Sequence, residues 1–178
     1  AVGLGEDFLY ICCMSPFISI IIPFYGTADP VLLQRCLDSI RRQGMEEGSY
    51  EIIVVDDNGK GLGGARNQGI RQATGTYLMF VDADDYLFPN LSYCFPYLLK
   101  YTPDVCSFQM CEVNRPGVIP QSFNYKWEVY ESGAEYMSKN NFMGTAWRHF
   151  FSRSFLNIHG LAFAESCFHE DEDFVAKA

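Results

Sequence analysis

Positive charge is scarce in this chain. Lys and Arg total 13 against 22 Asp and Glu, the formal net charge is −9, and the sequence pI is about 4.7. A nucleic-acid groove needs clustered Lys and Arg to neutralise phosphates, so nucleic acid is excluded as a partner. Long apolar runs are also lacking. The stretch Phe17–Tyr25 is too short to span a bilayer, and Phe8–Met14 is apolar without the basic start of a signal peptide. No C-x-x-C pair occurs among the seven cysteines, whose odd number and places within apolar runs suit buried free thiols. A zinc site and a disulfide framework are thereby excluded, and a reducing compartment is expected. The expectation is a cytoplasmic, soluble protein, touching the inner membrane face through a partner or a further segment. Internal repeats and low-complexity segments are absent.

What is present suits a globular fold. The 178 residues are 48% hydrophobic and 20% charged, enough for one domain with a real core. Aromatics reach 16%, which fits a cleft lining or a core equally. Residues 1–15 fit no element and read as an extension or remnant, and 16–178 as the domain. Ile18–Ile22 is a continuous β-branched run ending at Pro23, the pattern of a strand buried on both faces. Asp29-Pro30 is a cap followed by proline at the first helical position. Val31, Leu32, Cys36, Leu37 and Ile40 then recur at helical spacing, opposite Gln34, Arg35, Asp38, Arg41 and Arg42. Ile52–Val55 is a second strand, Gly59–Gly64 a glycine-rich loop, Ala65–Ala73 a short helix and Tyr77–Val81 a third strand. Strand, helix, strand in that order implies parallel pairing. Further on, Pro89–Lys100 reads as helix, Val105–Val113 as strand, Tyr125–Val129 as strand, Gly133–Lys139 as helix and Trp147–Ser152 as strand. His169-Glu170-Asp171-Glu172-Asp173 opens a last helix.

The chemistry sits where the strands stop. The first ends in Pro23-Phe24-Tyr25, the second in Asp56-Asp57-Asn58-Gly59, the third in Asp82-Ala83-Asp84-Asp85. Ligands of an open parallel sheet bind outside the carboxyl ends of its strands, so Tyr25, Asp57 and Asp84 are expected to converge on one rim. Asp and Asn also end strands simply as turn residues, which is the plainer reading of either cluster alone. Asp82-Ala83-Asp84 offers two carboxylates two residues apart. Mg²⁺ or Mn²⁺ takes one or two such carboxylates and completes its shell with water and substrate phosphates. An acidic protein that handles a diphosphate needs such a cation.

Four segments in order, Ile20-Ile21-Ile22-Pro23-Phe24-Tyr25, Ile53-Val54-Val55-Asp56-Asp57-Asn58, Gly64-Ala65-Arg66-Asn67-Gln68-Gly69 and Phe80-Val81-Asp82-Ala83-Asp84-Asp85, resemble the motifs of family 2 glycosyltransferases. A fifth, Phe168-His169-Glu170-Asp171-Glu172-Asp173-Phe174, looks like that family's late acidic motif. The resemblance runs from about Ile18 to the end. It implies an α/β fold of the GT-A type, a three-layer α/β/α nucleotide-sugar-binding domain on a mostly parallel central sheet. It implies inverting transfer from a nucleotide-sugar donor, commonly a UDP-sugar, to a hydroxyl on a saccharide or lipid-linked acceptor. Position by position, Pro23 and Tyr25 would frame the base and Asp57 would accept a hydrogen bond from it. Arg66 and Asn67 would lie close to the donor, Asp82 on the ribose or sugar, and Asp84 on the Mn²⁺ or Mg²⁺. Asp171 would be the general base, with Glu170 and Asp173 as alternatives.

Several of these residues have a plainer reading. Acids in a first helical turn are favoured by the macrodipole whether or not they catalyse. Trp147 is either an acceptor-stacking residue or part of the core. His149 and His169 have no partner at metal-ligand spacing. In the family, a further helix and strand usually separate the Asp-Asp-Asn and Ala-Arg-Asn motifs, whereas here Gly59–Gly64 alone does. Losing a strand from the central sheet would leave a gap in the core, so residues missing from the sequence near 59–63 are the expectation, as is truncation of the last helix. The rival readings are a metal-dependent phosphatase or phosphotransferase with Asp82 as nucleophile, and a nucleotide-binding domain without transfer activity.

Overall fold

The computed structural model describes residues 15–24, 29–57, 59–89, 91–108, 128–140 and 144–178. Five strands form one sheet in the order β2-β1-β3-β5-β4. They are β1 (Ile18–Phe24), β2 (Tyr50–Asp56), β3 (Tyr77–Phe80), β4 (Val105–Ser107) and β5 (His149–Ser152). β1 pairs in parallel with β2 and with β3, bringing Phe24 opposite Asp56 and Ile21 opposite Phe80. β5 runs antiparallel to both β3 and β4, so it is the one strand of opposite direction in a mostly parallel sheet.

Alternation along the strands sends side chains to two cores. One face carries Ile20, Ile22, Tyr77, Met79 and Phe150 against α1 (Pro30–Arg41) and α3 (Phe95–Tyr101), through Cys36, Ile40, Phe95 and Leu98. The other carries Ile21, Leu78, Phe80 and Phe151 against Ala65 of α2 (Gly61–Gln72), Leu156 of α5 (Arg153–His159) and Phe174 of α6 (Glu170–Lys177). Helices on both sheet faces make the α/β/α layering real. α4 (Gly133–Lys139) stands apart from these layers and buries none of its residues.

Local signals explain most boundaries. Asp29 accepts the Val31 N–H at 2.8 Å and Pro30 opens α1. Pro23 lies within β1, yet at that point β1 pairs with Val55 of β2 alone, since its register with β3 ends at Ile21. No ladder bond on the β3 side therefore needs a Pro23 N–H.

The structure departs from the expected elements at several places. The glycine-rich segment is not all loop, because α2 starts at Gly61. Packing outweighs weak helix propensity there: a Cβ on Gly63 would stand 2.2 Å from the Ala164 carbonyl oxygen, and one on Gly69 2.3 Å from Ile21 Cγ2. The helix expected over Pro89–Lys100 is a 3₁₀ turn, Leu91–Cys94, followed by α3 with Pro96 in its first turn. Ala146–Arg148 is likewise a 3₁₀ turn, so the last strand begins at His149 and not at Trp147. Helix α5 was not expected, although Ser152 caps it by accepting the Phe155 N–H at 3.3 Å and Gly160 ends it in the left-handed conformation. β4 spans Val105–Ser107, and residues 109–113 and 125–127 of the two expected strands lie outside the described residues; Glu128–Tyr130 form no strand.

Candidate active site

β1, β2 and β3 point the same way, so their carboxyl ends share one rim. Asp57 follows β2 there. Its main-chain N–H donates to the Phe24 carbonyl at 3.3 Å, and its Oδ1 accepts the Lys60 N–H at 2.9 Å. One carboxylate oxygen of Asp57 thus does the turn-forming work that Asp performs at strand ends. Tyr25 and Asn58 lie outside the described residues.

After β3 the chain turns at Asp82, whose carbonyl accepts the Asp85 N–H at 3.0 Å. Asp84 is exposed at this turn, and Arg35 of α1 holds its main-chain carbonyl. The Arg35 guanidinium lies 5.1 Å from the centre of the Tyr86 ring. Asp82 points inward, and its partner is Arg66.

Arg66 organises the site. It sits in the middle of α2 with 1% of its side chain exposed. Nη2 donates to Asp82 Oδ1 at 2.9 Å, and Nη1 donates to Glu170 Oε1 at 2.9 Å and to Asp171 Oδ1. Its guanidinium packs over the Phe163 ring at 5.4 Å. Next to it, Asn67 brackets the Phe163 main chain: its amide donates to the Phe163 carbonyl at 2.9 Å and accepts the Phe163 N–H at 2.8 Å. The other oxygen of Asp171 accepts the Ala146 N–H at 3.0 Å. One guanidinium thus ties the end of β3 to the start of α6, and Asp171 also holds the turn that carries the half-buried Trp147.

Three carboxylates around one buried cation leave the cluster with excess negative charge. Burial pushes the Asp82 carboxyl above its usual range, and the nearby Asp171 and Asp84 add to this, while Arg66 opposes it. Burial likewise raises Asp171, with Glu170 adding to the rise and with Arg66 and the Ala146 N–H opposing it. The four acids of the late motif divide. Glu170 and Asp171 turn to Arg66, whereas Asp173 pairs with Lys177 at the surface and Glu172 lies 3.6 Å from His169. Glu170 appears in the sequence reading only as an alternative to Asp171, yet it is 8% exposed and shares the same guanidinium nitrogen. The spacing offered a signal, since residues 170 and 174 lie one helical turn apart and Phe174 is core.

Among the described residues, no group of three or more His, Cys, Asp or Glu is arranged to hold a metal ion. The donor set nonetheless fits a hard cation of the kind that takes one or two carboxylates and draws its remaining oxygens from phosphates and water. Asp84 is the exposed carboxylate after β3 that could serve such a cation. His149 is no candidate ligand: it is 2% exposed, its Nδ1 lies 2.8 Å from Ser107 Oγ, and burial beside Arg148 pushes its pKa down to about 3. Among the described residues, no helix is long and apolar enough to cross a membrane, and Cys36, Cys94, Cys106 and Cys167 are free thiols.

A mostly parallel sheet covered by helices on both faces, with carboxylates after β2 and β3, makes this a three-layer α/β domain, and its likeness to solved glycosyltransferases is that of the GT-A fold. The chain belongs to glycosyl transferase family 2, whose family model matches residues 19–60 and 58–157. It is 37% identical over 97 residues to the poly(ribitol-phosphate) beta-glucosyltransferase of Bacillus spizizenii, covering 39% of this chain and 15% of that protein. It is 30% identical over 199 residues to the uncharacterized glycosyltransferase EpsJ of Bacillus subtilis, covering 90% of this chain and 55% of that protein. The chain thus spans about half the length of EpsJ and a smaller part of the glucosyltransferase. Among solved structures it resembles residues 1–349 of S. aureus TarS in complex with UDP-GlcNAc, with a TM-score of 0.70, 23% identity and coverage of 93% of this chain and 53% of that one. It also resembles the mannosyltransferase PcManGT of Pyrobaculum calidifontis in complex with GDP-Man and Mn²⁺, with a TM-score of 0.59, 18% identity and coverage of 90% and 51%. At these identities the structural likeness establishes the fold.

Proposed function

We propose that this chain is the donor-binding and catalytic domain of an inverting glycosyltransferase, which moves a sugar from a UDP-sugar to a hydroxyl of a saccharide or lipid-linked acceptor. The observation that carries the reading is Arg66, which gathers Asp82 at the donor rim and Glu170 and Asp171 at the acceptor side into one cluster. The UDP-GlcNAc complex of TarS supports a UDP-linked donor. The poly(ribitol-phosphate) beta-glucosyltransferase named above supports a polymeric acceptor.

Inverting transfer is a single displacement. The acceptor oxygen attacks the anomeric carbon while the bond to the nucleoside diphosphate breaks. Asp171 takes the proton from the attacking hydroxyl, so that the oxygen gains nucleophilicity as the new bond forms. Its raised affinity for protons makes it a stronger base than an ordinary aspartate, and the Ala146 N–H fixes its orientation. Arg66 keeps it within reach of Asp82, which faces the donor's ribose or sugar. Pro23 and Asp57 would frame the base at this rim, with Tyr25, outside the described residues, as the expected stacking residue, and Asn67 secures the Phe163 segment beside the donor. Asp84 would hold Mn²⁺ or Mg²⁺, which neutralises charge on the departing diphosphate.

The short link between β2 and α2 is read as residues missing from the sequence there, and not as a true shortening of the domain. An alignment of 199 positions that takes in 90% of this chain leaves close to forty positions of EpsJ without a counterpart here, and the family match divides at residues 58–60. β2 is left at the edge of the sheet, with Val54 44% exposed.

Asp171→Asn tests the assignment. The variant should bind UDP and Mn²⁺ like the parent but lose transfer of labelled sugar by about 10²–10⁴-fold, the usual worth of a general base. Undiminished transfer moves the role to Glu170. A parent that shows no thermal stabilisation by any nucleoside diphosphate with Mn²⁺ refutes the donor reading.

A further inference from the structure

Phe168 is the most exposed large apolar side chain among the described residues, at 94%. It stands three residues before Asp171. The backbone on both sides of Cys167-Phe168 is left-handed, at Ser166 with φ 57° and His169 with φ 62°, and neither residue is glycine. Such conformations are costly and persist where surrounding bonds impose them. Here they are imposed. The Ser166 N–H donates to the Lys60 carbonyl at 2.8 Å, Lys60 Nζ reaches Glu165 at 3.1 Å, and the His169 carbonyl accepts the Asp173 N–H at 3.5 Å. The loop is therefore anchored to the donor-side turn at one end and to α6 at the other. Between these anchors it holds out a phenyl ring that covers no part of its own protein.

A second aromatic lies on the segment that Asp171 holds. The Ala146 N–H held by Asp171 Oδ2 belongs to the turn that continues into Trp147. Two aromatic residues thus sit on the two segments that meet at Asp171. The C–H face of a pyranose ring is apolar while its rim is hydroxylated, and such a face stacks on an aromatic ring. We propose that Phe168 is an acceptor-recognition residue, whose ring receives the apolar face of the acceptor saccharide and sets the attacking hydroxyl beside Asp171. This rests on reading Asp171 as the acceptor-side base. It adds a residue that makes no contact with the Arg66 cluster, and so separates acceptor recognition from the charge network.

The test uses the full chain saturated with UDP and Mn²⁺, with methyl β-D-glucopyranoside and maltotriose as probes. Saturation-transfer NMR reads contact between protein and the sugar C–H protons, and calorimetry reads UDP affinity. In the parent the C–H protons should saturate. Phe168→Ala should weaken saccharide binding by about tenfold with UDP affinity unchanged, and Phe168→Tyr should restore it. Saccharide binding by Phe168→Ala within twofold of the parent overturns the proposal, as does a UDP-bound parent that contacts neither probe. A parent that binds no UDP fails earlier and refutes the donor reading itself.

Discussion

Replacing Arg66 with Met tests the charge cluster most directly. The substitution keeps much of the aliphatic stem and removes a cation that is 1% exposed and bonded to three carboxylates. Breaking a buried ion pair from one side costs about 3–5 kcal/mol, because the surviving charges are left without compensation. Spread over a domain of this size, that is a fall in melting temperature of roughly 6–20 °C, at 2–4 °C per kcal/mol. The pH dependence separates charge from packing. Without Arg66, the carboxyls of Asp82 and Asp171 are raised further, above their unfolded values. A group raised in this way costs stability above its folded pKa, and the cost disappears as pH falls towards the unfolded pKa near 3.8. The deficit of the variant should therefore shrink between pH 7 and pH 4.5 in urea titrations of both proteins. A deficit under about 1 kcal/mol at pH 7, or one that stays constant over that range, would falsify the reasoning.

Two further outcomes follow from single side chains. Asp84→Asn should abolish Mn²⁺-dependent UDP binding, measured by calorimetry, while leaving the melting temperature of the free protein unchanged, since Asp84 is exposed and only its main-chain carbonyl is bonded to Arg35. His149 is buried neutral with its pKa pushed down from 6.5 to about 3. The unfolded chain therefore takes up this proton first as pH falls below 6.5, and the folded state should lose about 2 kcal/mol between pH 7 and pH 5 from this group. His149→Gln should remove that slope, and an unaltered slope in the variant assigns it elsewhere.

The three parallel strands were legible because each is an unbroken apolar run stopped by a turn residue. α1 was legible from Asp29, Pro30 and its 3.6-residue period. Helix α2 was not, because its glycines read locally as loop. Gly63 and Gly69 are present because Ala164 and Ile21 approach too closely for any side chain, a constraint set by residues 101 and 48 positions away. Strand order was equally hidden. Nothing within His149–Ser152 shows that it inserts between β3 and β4 in the opposite direction. The acids of the late motif were visible as a group, but their division was not. It depends on which helical positions face Arg66, and therefore on the packing of Phe174 against Phe80, Phe151 and Phe163.

Arg66 and its partners on α6 are 104 and 105 residues apart in sequence. A ribosome adding about 5–20 residues per second needs roughly 5–20 s to pass from one to the other. For that interval α2 carries a guanidinium whose burial only Asp82 can begin to offset, and neither Phe163 nor Phe174 yet exists to close the core on that face of the sheet. The first half of the nascent chain therefore has a reason to stay open on this face until α6 has been made, and the Arg66 cluster closes only then.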